Sequence, residues 1–125
     1  MKMTELDFEG QPPIDGYAPD GFRVRGRFLE GPALIGPDGA AAWSAPSLEA
    51  ADPAPLLALA GRIDVLLLGA GAEIRHAPRP LSAPLEEAGL GVEIMATPSA
   101  CRTYNVMLSE GRRVAAALLP VGAPG

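Results

Sequence analysis

The sequence predicts an α/β fold: a three-layer single domain with a mixed central sheet, a parallel βαβαβ C-terminal part and an N-terminal antiparallel β meander. Three observations predict it. Short alternating or apolar segments, separated by Gly and Pro, fill the first third. Apolar segments of strand length then alternate with helical segments, the pattern of parallel crossovers. The length of 125 residues is that of one domain, so 1–125 is assigned to it, with termini that we expect to be flexible.

The N-terminal third predicts the meander. Polar and apolar side chains alternate over residues 3–9, and residues 10–21 are rich in turn residues and predict a loop. Arg23, Arg25 and Arg27 alternate with apolar residues, which predicts one strand with a cationic face. This face is either a solvated edge that resists aggregation or a docking face for an acidic partner. The predicted strands cover 3–9, 22–28, its partner 33–35 and, after the turn at 36–39, 40–43.

The rest of the chain predicts helices and strands in alternation. Asp52, Ser82 and Thr97 are predicted N-caps of three helices, the first and third followed by proline. The longest helix ends at Gly111 and carries an apolar stripe made of Ala100, Cys101, Tyr104, Met107 and Leu108. The predicted strands cover 63–68, 91–96 and 113–119.

Composition excludes some classes of function. The net charge of -5 argues against nucleic acid as the main partner, because phosphate binding needs a basic surface. A single cysteine cannot form an internal disulfide, which favours a reducing compartment. The N-terminus lacks the apolar segment of a signal peptide, and no apolar segment reaches the length of a membrane span. We therefore predict a cytoplasmic protein without a transmembrane segment, and peripheral association with a membrane complex stays open.

A candidate binding site lies at the predicted carboxyl ends of the parallel strands, where open α/β sheets bind ligands. The start of the long helix points its free amides there, which favours an anion. The alternative is that the glycines form turns and the arginines are solvated. The predicted ligand-binding residues are Gly69, Gly71, Arg75, Thr97, Ser99, Arg102 and Asn105.

Other reactive side chains give weaker indications. Cys101 lies near a helix N-terminus, which would activate a thiol, but its place on the apolar stripe predicts a buried, inert one. Glu110 opposes the helix dipole and is predicted to form an internal ion pair with Arg112 or Arg113. One His and one Cys without ligand spacing predict no metal. We predict no catalytic residue and no cofactor.

Several motifs together resemble a known family. They are Gly-Phe-Arg-Val near residue 21, the segment that begins at Gly31, Trp43, Leu-Leu-Leu-Gly-Ala-Gly ending at Gly71, and 91–117. The family comprises bacterial and archaeal proteins of unknown function, the mitochondrial complex I assembly factor 3 and the adipogenesis-associated domain protein. The resemblance covers about residues 14–121 and implies a three-layer α/β domain.

The resemblance also implies a function without catalysis: an assembly role through protein contacts. The sequence therefore predicts a non-catalytic protein-interaction or assembly-factor-like domain with an unidentified protein partner. The alternative is a small anionic-ligand-binding domain, or an unrecognised enzyme, that uses the crevice at Gly69–Gly71 and Thr97–Arg102.

Overall fold

The computed structural model describes residues 10–122, which form two sheets and three helices. The strands are β1 (Gly16–Ala18), β2 (Gly21–Val24), β3 (Arg27–Glu30), β4 (Ala33–Gly36), β5 (Gly39–Ala42), β6 (Val65–Ala70), β7 (Gly91–Met95) and β8 (Val114–Leu119). The helices are α1 (Ala54–Leu57), α2 (Arg79–Glu87) and α3 (Thr97–Ser109). The strand predicted over 3–9 lies outside the described residues.

The larger sheet is mixed, as predicted. Its order is β5-β4-β8-β6-β7, in which β6 pairs parallel with both β7 and β8. The strand β4 pairs antiparallel with β5 and with β8. The smaller sheet is antiparallel in the order β1-β2-β3. The predicted α/β class with a parallel C-terminal part is confirmed.

The central strands β6 and β8 are covered on both faces. Leu66 and Leu68 face a core that contains buried residues of α1 and α2, whereas Leu67 faces a second core with α3 and β2. In β8, Ala116 faces the second core while its two alanine neighbours face the first. Such small side chains let helices pack closely against a strand, so three layers result.

The prediction of a single strand over 22–28 is wrong, because this segment contains the turn of a hairpin formed by β2 and β3. Val24 pairs with Arg27, so Arg25 and Gly26 alone form the turn. Both have positive φ, 54° for Arg25 and 76° for Gly26, as a type I′ turn requires. Arginine is an uncommon residue at that backbone conformation, so the turn is hard to recognise from the sequence. The predicted loop over 10–21 also contains a short strand, β1.

The predicted pairing of residues 33–35 with this hairpin is wrong as well. The strand β4 lies in the larger sheet, where Ala33 pairs with Leu118 and Ile35 with Ala116. Ala33 and Ile35 are fully buried there. The predicted turn at 36–39 is confirmed by the pairing of Gly36 with Gly39.

All three helix starts differ from prediction. The residue before α1 is Pro53 and not Asp52, although the Asp52 carboxylate accepts a hydrogen bond from the backbone N–H of Ala54 at 2.9 Å. The helix α2 begins at Arg79 instead of after Ser82, because proline is tolerated within a first turn, and Ser82 is buried inside it. Thr97 is the first residue of α3 and does not cap it.

Candidate functional site

The predicted crevice is closed by Thr97, which joins three elements. Its side-chain oxygen accepts a hydrogen bond from the N–H of Gly71 at 2.9 Å and donates one to the carbonyl of Leu119 at 2.6 Å. The Thr97 N–H donates to the Gly71 carbonyl at 2.8 Å. A Cβ added at Gly69 would lie 2.8 Å from the Thr97 hydroxyl oxygen, so the contact requires glycine. Thr97 is fully buried, and its hydroxyl has a structural role.

The start of α3 offers few free donors to an anion. The N–H of Thr97 is bonded to Gly71, and Pro98 has none. Of the first three residues of α3, only Ser99 therefore has an N–H without a backbone acceptor among residues 10–122, and Ser99 is half-buried. An anion site at a helix N-terminus uses several such amides together, so this end of α3 is a weak one.

Two further predicted residues have partners elsewhere. The guanidinium of Arg75 forms an ion pair with the carboxylate of Glu49, with one hydrogen bond of 3.2 Å. The Asn105 side chain pairs with the backbone of Ile14, accepting from its N–H and donating to its carbonyl, both at 2.8 Å. Of the predicted set, the structure brings Gly69, Gly71 and Thr97 together. Arg102, which is exposed, has no ion-pair partner among the described residues. The anion site stays a prediction.

Burial suppresses the ionisation of Cys101 and Tyr104. Both face the second core, and burial raises the pKa of the Cys101 thiol to about 11. Burial likewise raises the pKa of Tyr104 to about 12. The Tyr104 hydroxyl donates to the carbonyl of Pro12 at 2.6 Å and accepts from the Gln11 amide at 3.2 Å. Neither group is ionised near neutral pH, and the tyrosine fixes the segment around residue 12 to α3.

The predicted internal ion pair lies at the surface instead. Glu110 and Arg112 approach to 3.9 Å, and each side chain is more than half exposed. Because Gly111 has a φ of 77° and reverses the chain at the end of α3, the flanking side chains point into solvent. Arg113 forms an ion pair with Asp64 at 2.9 Å, and its hydrogen bond lowers the pKa of that carboxyl.

The structure contains a groove that sequence reasoning missed. It lies at the end of α3, where β8 begins, and has a volume of about 370 Å³. Its lining comes from four separate parts of the chain, so no local sequence motif predicts it. The residues are Gln11, Pro37, Arg62, Leu108, Gly111, Arg112 and Arg113.

The tip of the β2–β3 hairpin is a second cationic feature. We define it by Arg23, Arg25 and Arg27, which are all exposed. Among residues 10–122, none of the three lies in an ion pair. The Arg23 guanidinium lies 5.9 Å from the ring centre of Phe28, a distance at which cation–π attraction acts. The hairpin tip therefore carries three guanidinium groups outside ion pairs, beside the Asp15 carboxylate, which accepts a hydrogen bond from the Gly26 N–H at 3.3 Å.

Two further features of residues 10–122 concern metal ions and membranes. Residues 10–122 hold no group of three or more His, Cys, Asp or Glu side chains arranged for a metal ion. None of the helices within that range is both long and apolar enough to span a bilayer.

Comparison with known proteins finds relatives that match most of this chain. A family model described as protein of unknown function (DUF498/DUF598) matches residues 14–119. An uncharacterized protein of Rhodobacter capsulatus is 49% identical over 97% of this chain and 94% of its own length. The zebrafish protein named NADH dehydrogenase (ubiquinone) 1 alpha subcomplex assembly factor 3 is 34% identical over 86% of this chain. The chain spans 63% of that zebrafish protein.

Solved structures show the same fold. A Bartonella henselae structure, described as an outer membrane protein, has a TM-score of 0.80 and 35% identity, and covers 90% of this chain and 98% of its own. A Bordetella pertussis protein described as a Mth938-like domain has a TM-score of 0.76 and 25% identity, over 98% of this chain and 92% of its own. The fold is therefore Mth938-like.

Proposed function

We propose that this chain, which belongs to the DUF498/DUF598 family of proteins of unknown function, is a non-catalytic protein-interaction domain with an assembly-factor-like role. The observation that carries the proposal is the 34% identity to the zebrafish assembly factor over 86% of the chain. The matched part of that protein is 63% of its length, so the shared part is the domain and not the whole factor. We propose that the chain acts as a single domain and that its partner is a protein.

The internal chemistry supports a role without catalysis. The Thr97 hydroxyl, the Tyr104 hydroxyl and the Asn105 amide each bond to backbone groups of other segments. The Cys101 thiol is buried and protonated, because its pKa is about 11. Polar groups that hold a fold together in this way are not free to activate a substrate.

The surface that we assign to partner contact is the hairpin tip. Arginine and aromatic side chains are enriched in protein interfaces, and here Phe28 and Tyr17 of the same sheet are 41% and 47% exposed. A notch of about 90 Å³ beside the tip is lined by Arg25 and Arg27 together with apolar side chains. Unpaired positive charge around a small apolar notch fits an acidic partner segment that carries one apolar side chain.

Loss of the protein tests the proposed role. Deleting the gene in native cells is expected to lower the amount of assembled NADH dehydrogenase complex on native gels, because an assembly factor acts before the complex is complete. Re-expression of the wild-type chain is expected to restore that amount. An unchanged amount of assembled complex, in cells shown to lack the protein, would contradict the assembly role.

We further propose a cytoplasmic location with peripheral attachment to a membrane complex during assembly. The single cysteine, which favours a reducing compartment, supports the cytoplasmic location. Cell fractionation is expected to find the protein in the cytosol, together with a membrane-bound part that high salt releases. Recovery in the outer membrane alone would overturn this location.

A further inference from the structure

The groove at the end of α3 differs from an ordinary surface depression in the charge of its lining. Three of its lining residues are Arg62, Arg112 and Arg113, and none of the described residues in that lining is acidic. Guanidinium groups present planar arrays of N–H donors that match carboxylate and phosphate oxygens. The lining is therefore rich in guanidinium groups, each of which also lies within 4 Å of a carboxylate outside the lining, that of Asp38, Glu110 or Asp64.

Two of these guanidinium groups are held in place from outside the groove. The carboxylate of Asp38 accepts two hydrogen bonds from Arg62, at 2.9 and 2.7 Å. The carboxylate of Asp64 accepts two from Arg113, at 2.9 and 3.3 Å. A guanidinium carries five N–H donors, so donors remain for a ligand after these bonds are made. The ion pairs thus orient the arginines before a ligand arrives, which lowers the entropic cost of binding.

The third guanidinium, that of Arg112, is held only loosely. Its pair with Glu110 is 3.9 Å long and exposed, beyond hydrogen-bond distance. The backbone around it is fixed, because the Arg112 N–H donates to the Met107 carbonyl at 2.9 Å and the Gly111 N–H to the Leu108 carbonyl at 3.0 Å. These bonds also satisfy helix-end carbonyls whose partial negative charge would otherwise oppose an anion. Because the backbone of Arg112 is fixed and Glu110 does not hydrogen-bond its guanidinium, that group is available to a ligand.

We propose that this groove binds a small organic oxyanion, a phosphate monoester or a carboxylate, with its anionic end on the three guanidinium groups. Pro37 and Leu108 give the groove an apolar wall. The Gln11 amide, which donates to the Val114 carbonyl at 2.6 Å and to the Tyr104 hydroxyl at 3.2 Å, completes the lining. A volume of about 370 Å³ exceeds what a bare phosphate fills and is in the range of small-molecule sites. The ligand therefore joins one oxyanion to an apolar body. The site is separate from the hairpin tip and does not depend on the proposed assembly role.

Titration of the full-length protein followed by NMR tests the site. The probes are phenyl phosphate, benzoate and inorganic phosphate, at millimolar concentrations and low salt. Saturable shifts are expected at the backbone amides of Gly111, Arg112 and Arg113 and at the side-chain amide of Gln11. Phenyl phosphate is expected to bind more tightly than inorganic phosphate because its ring contacts the apolar wall. The comparison of phenyl phosphate with benzoate identifies which oxyanion the site takes.

Arg112→Gln is the decisive variant, and Arg79→Gln is its matched control. Arg79 is also exposed and also lies 3.9 Å from a glutamate, Glu86, but on α2 and outside the groove. We expect Arg112→Gln to weaken binding about tenfold, as the loss of one charge-assisted hydrogen bond does, and Arg79→Gln to leave it unchanged. Absence of saturable shifts with every probe, or equal weakening by the two variants, would overturn the proposal. Because Arg112 is exposed and loosely paired, its variant is expected to fold as the wild type does.

Discussion

The substitution Thr97→Val isolates the contribution of one buried hydroxyl. Valine has nearly the shape of threonine and is likewise branched at Cβ, so the change removes the hydroxyl with little effect on packing. The hydroxyl accepts from the Gly71 N–H at 2.9 Å and donates to the Leu119 carbonyl at 2.6 Å. Gly71 and Leu119 are both buried, so water cannot replace the lost partner without entering the fold.

The expected magnitude follows from these two groups. A buried donor or acceptor left unsatisfied costs about 1–3 kcal/mol, so two of them lower the free energy of unfolding by about 2–4 kcal/mol, with some relaxation allowed. For a domain of this size, about 1 kcal/mol shifts the melting temperature by roughly 4 °C, so we expect a fall of roughly 8–16 °C. This is a large fraction of the stability of a small domain.

Urea denaturation followed by circular dichroism measures the effect, with m-values compared to verify two-state behaviour. Thr103→Val is the matched control, since Thr103 lies on the same helix and its hydroxyl has no partner among the described residues. Thr97→Ser keeps the hydroxyl and is expected to lose only about 1 kcal/mol, the contribution of one methyl group. The reasoning is refuted if Thr97→Val is within about 0.5 kcal/mol of the Thr103→Val control, which is the usual range of neutral substitutions.

Cys101, Asn105 and Glu110 give four further predictions. Burial raises the pKa of the Cys101 thiol from 9.0 to about 11, so the thiolate fraction at pH 8 is about 100-fold lower in the folded protein. A disulfide reagent should therefore react far more slowly with the folded protein than with the unfolded protein. Only the neutral thiol is compatible with burial, so its contribution to the free energy of unfolding is complete below pH 9 and is lost as the pH rises from 9 to about 11. Cys101→Ala should therefore reduce the decline of the urea midpoint over that pH range. Asn105→Ala removes the acceptor of the Ile14 N–H, so hydrogen exchange of that amide should accelerate, whereas protection unchanged from wild type would contradict the role of Asn105. Glu110→Gln should leave the urea midpoint unchanged, because the pair of Glu110 with Arg112 is long and exposed. A clear fall in the midpoint would instead support the predicted stabilising ion pair.

The parallel part of the fold was predictable because its signals are local. Gly89 and Gly111 end two helices in positive φ, and the apolar segment around Leu67 has the composition of a strand buried on both faces. The antiparallel part was less predictable. The turn at Arg25 lacks the Asn or Asp that usually marks such a turn. The sequence around Ala33 does not indicate that this residue pairs with Leu118, which lies far along the chain.

The candidate site shows the same limit more strongly. Thr97 followed by Pro98 has the sequence of a helix cap, but its hydroxyl bonds to distant backbone groups instead of the helix amides. The groove depends on Arg62 and Arg113, which lie in different segments and meet only in the folded chain. A residue type and its spacing predict local hydrogen bonds, whereas the competing long-range partners depend on the complete topology.

The most direct test of the account is to ask which surface a rescuing protein needs. Cells that lack the gene receive either the hairpin variant Arg25→Glu/Arg27→Glu or the crevice variant Ser99→Ala/Arg102→Ala, and assembled NADH dehydrogenase complex is quantified on native gels. All four residues lie outside the buried core, so both proteins are expected to fold, and equal expression is verified. Our account predicts that the crevice variant restores the complex and that the hairpin variant does not. Rescue by the hairpin variant together with failure of the crevice variant would contradict it.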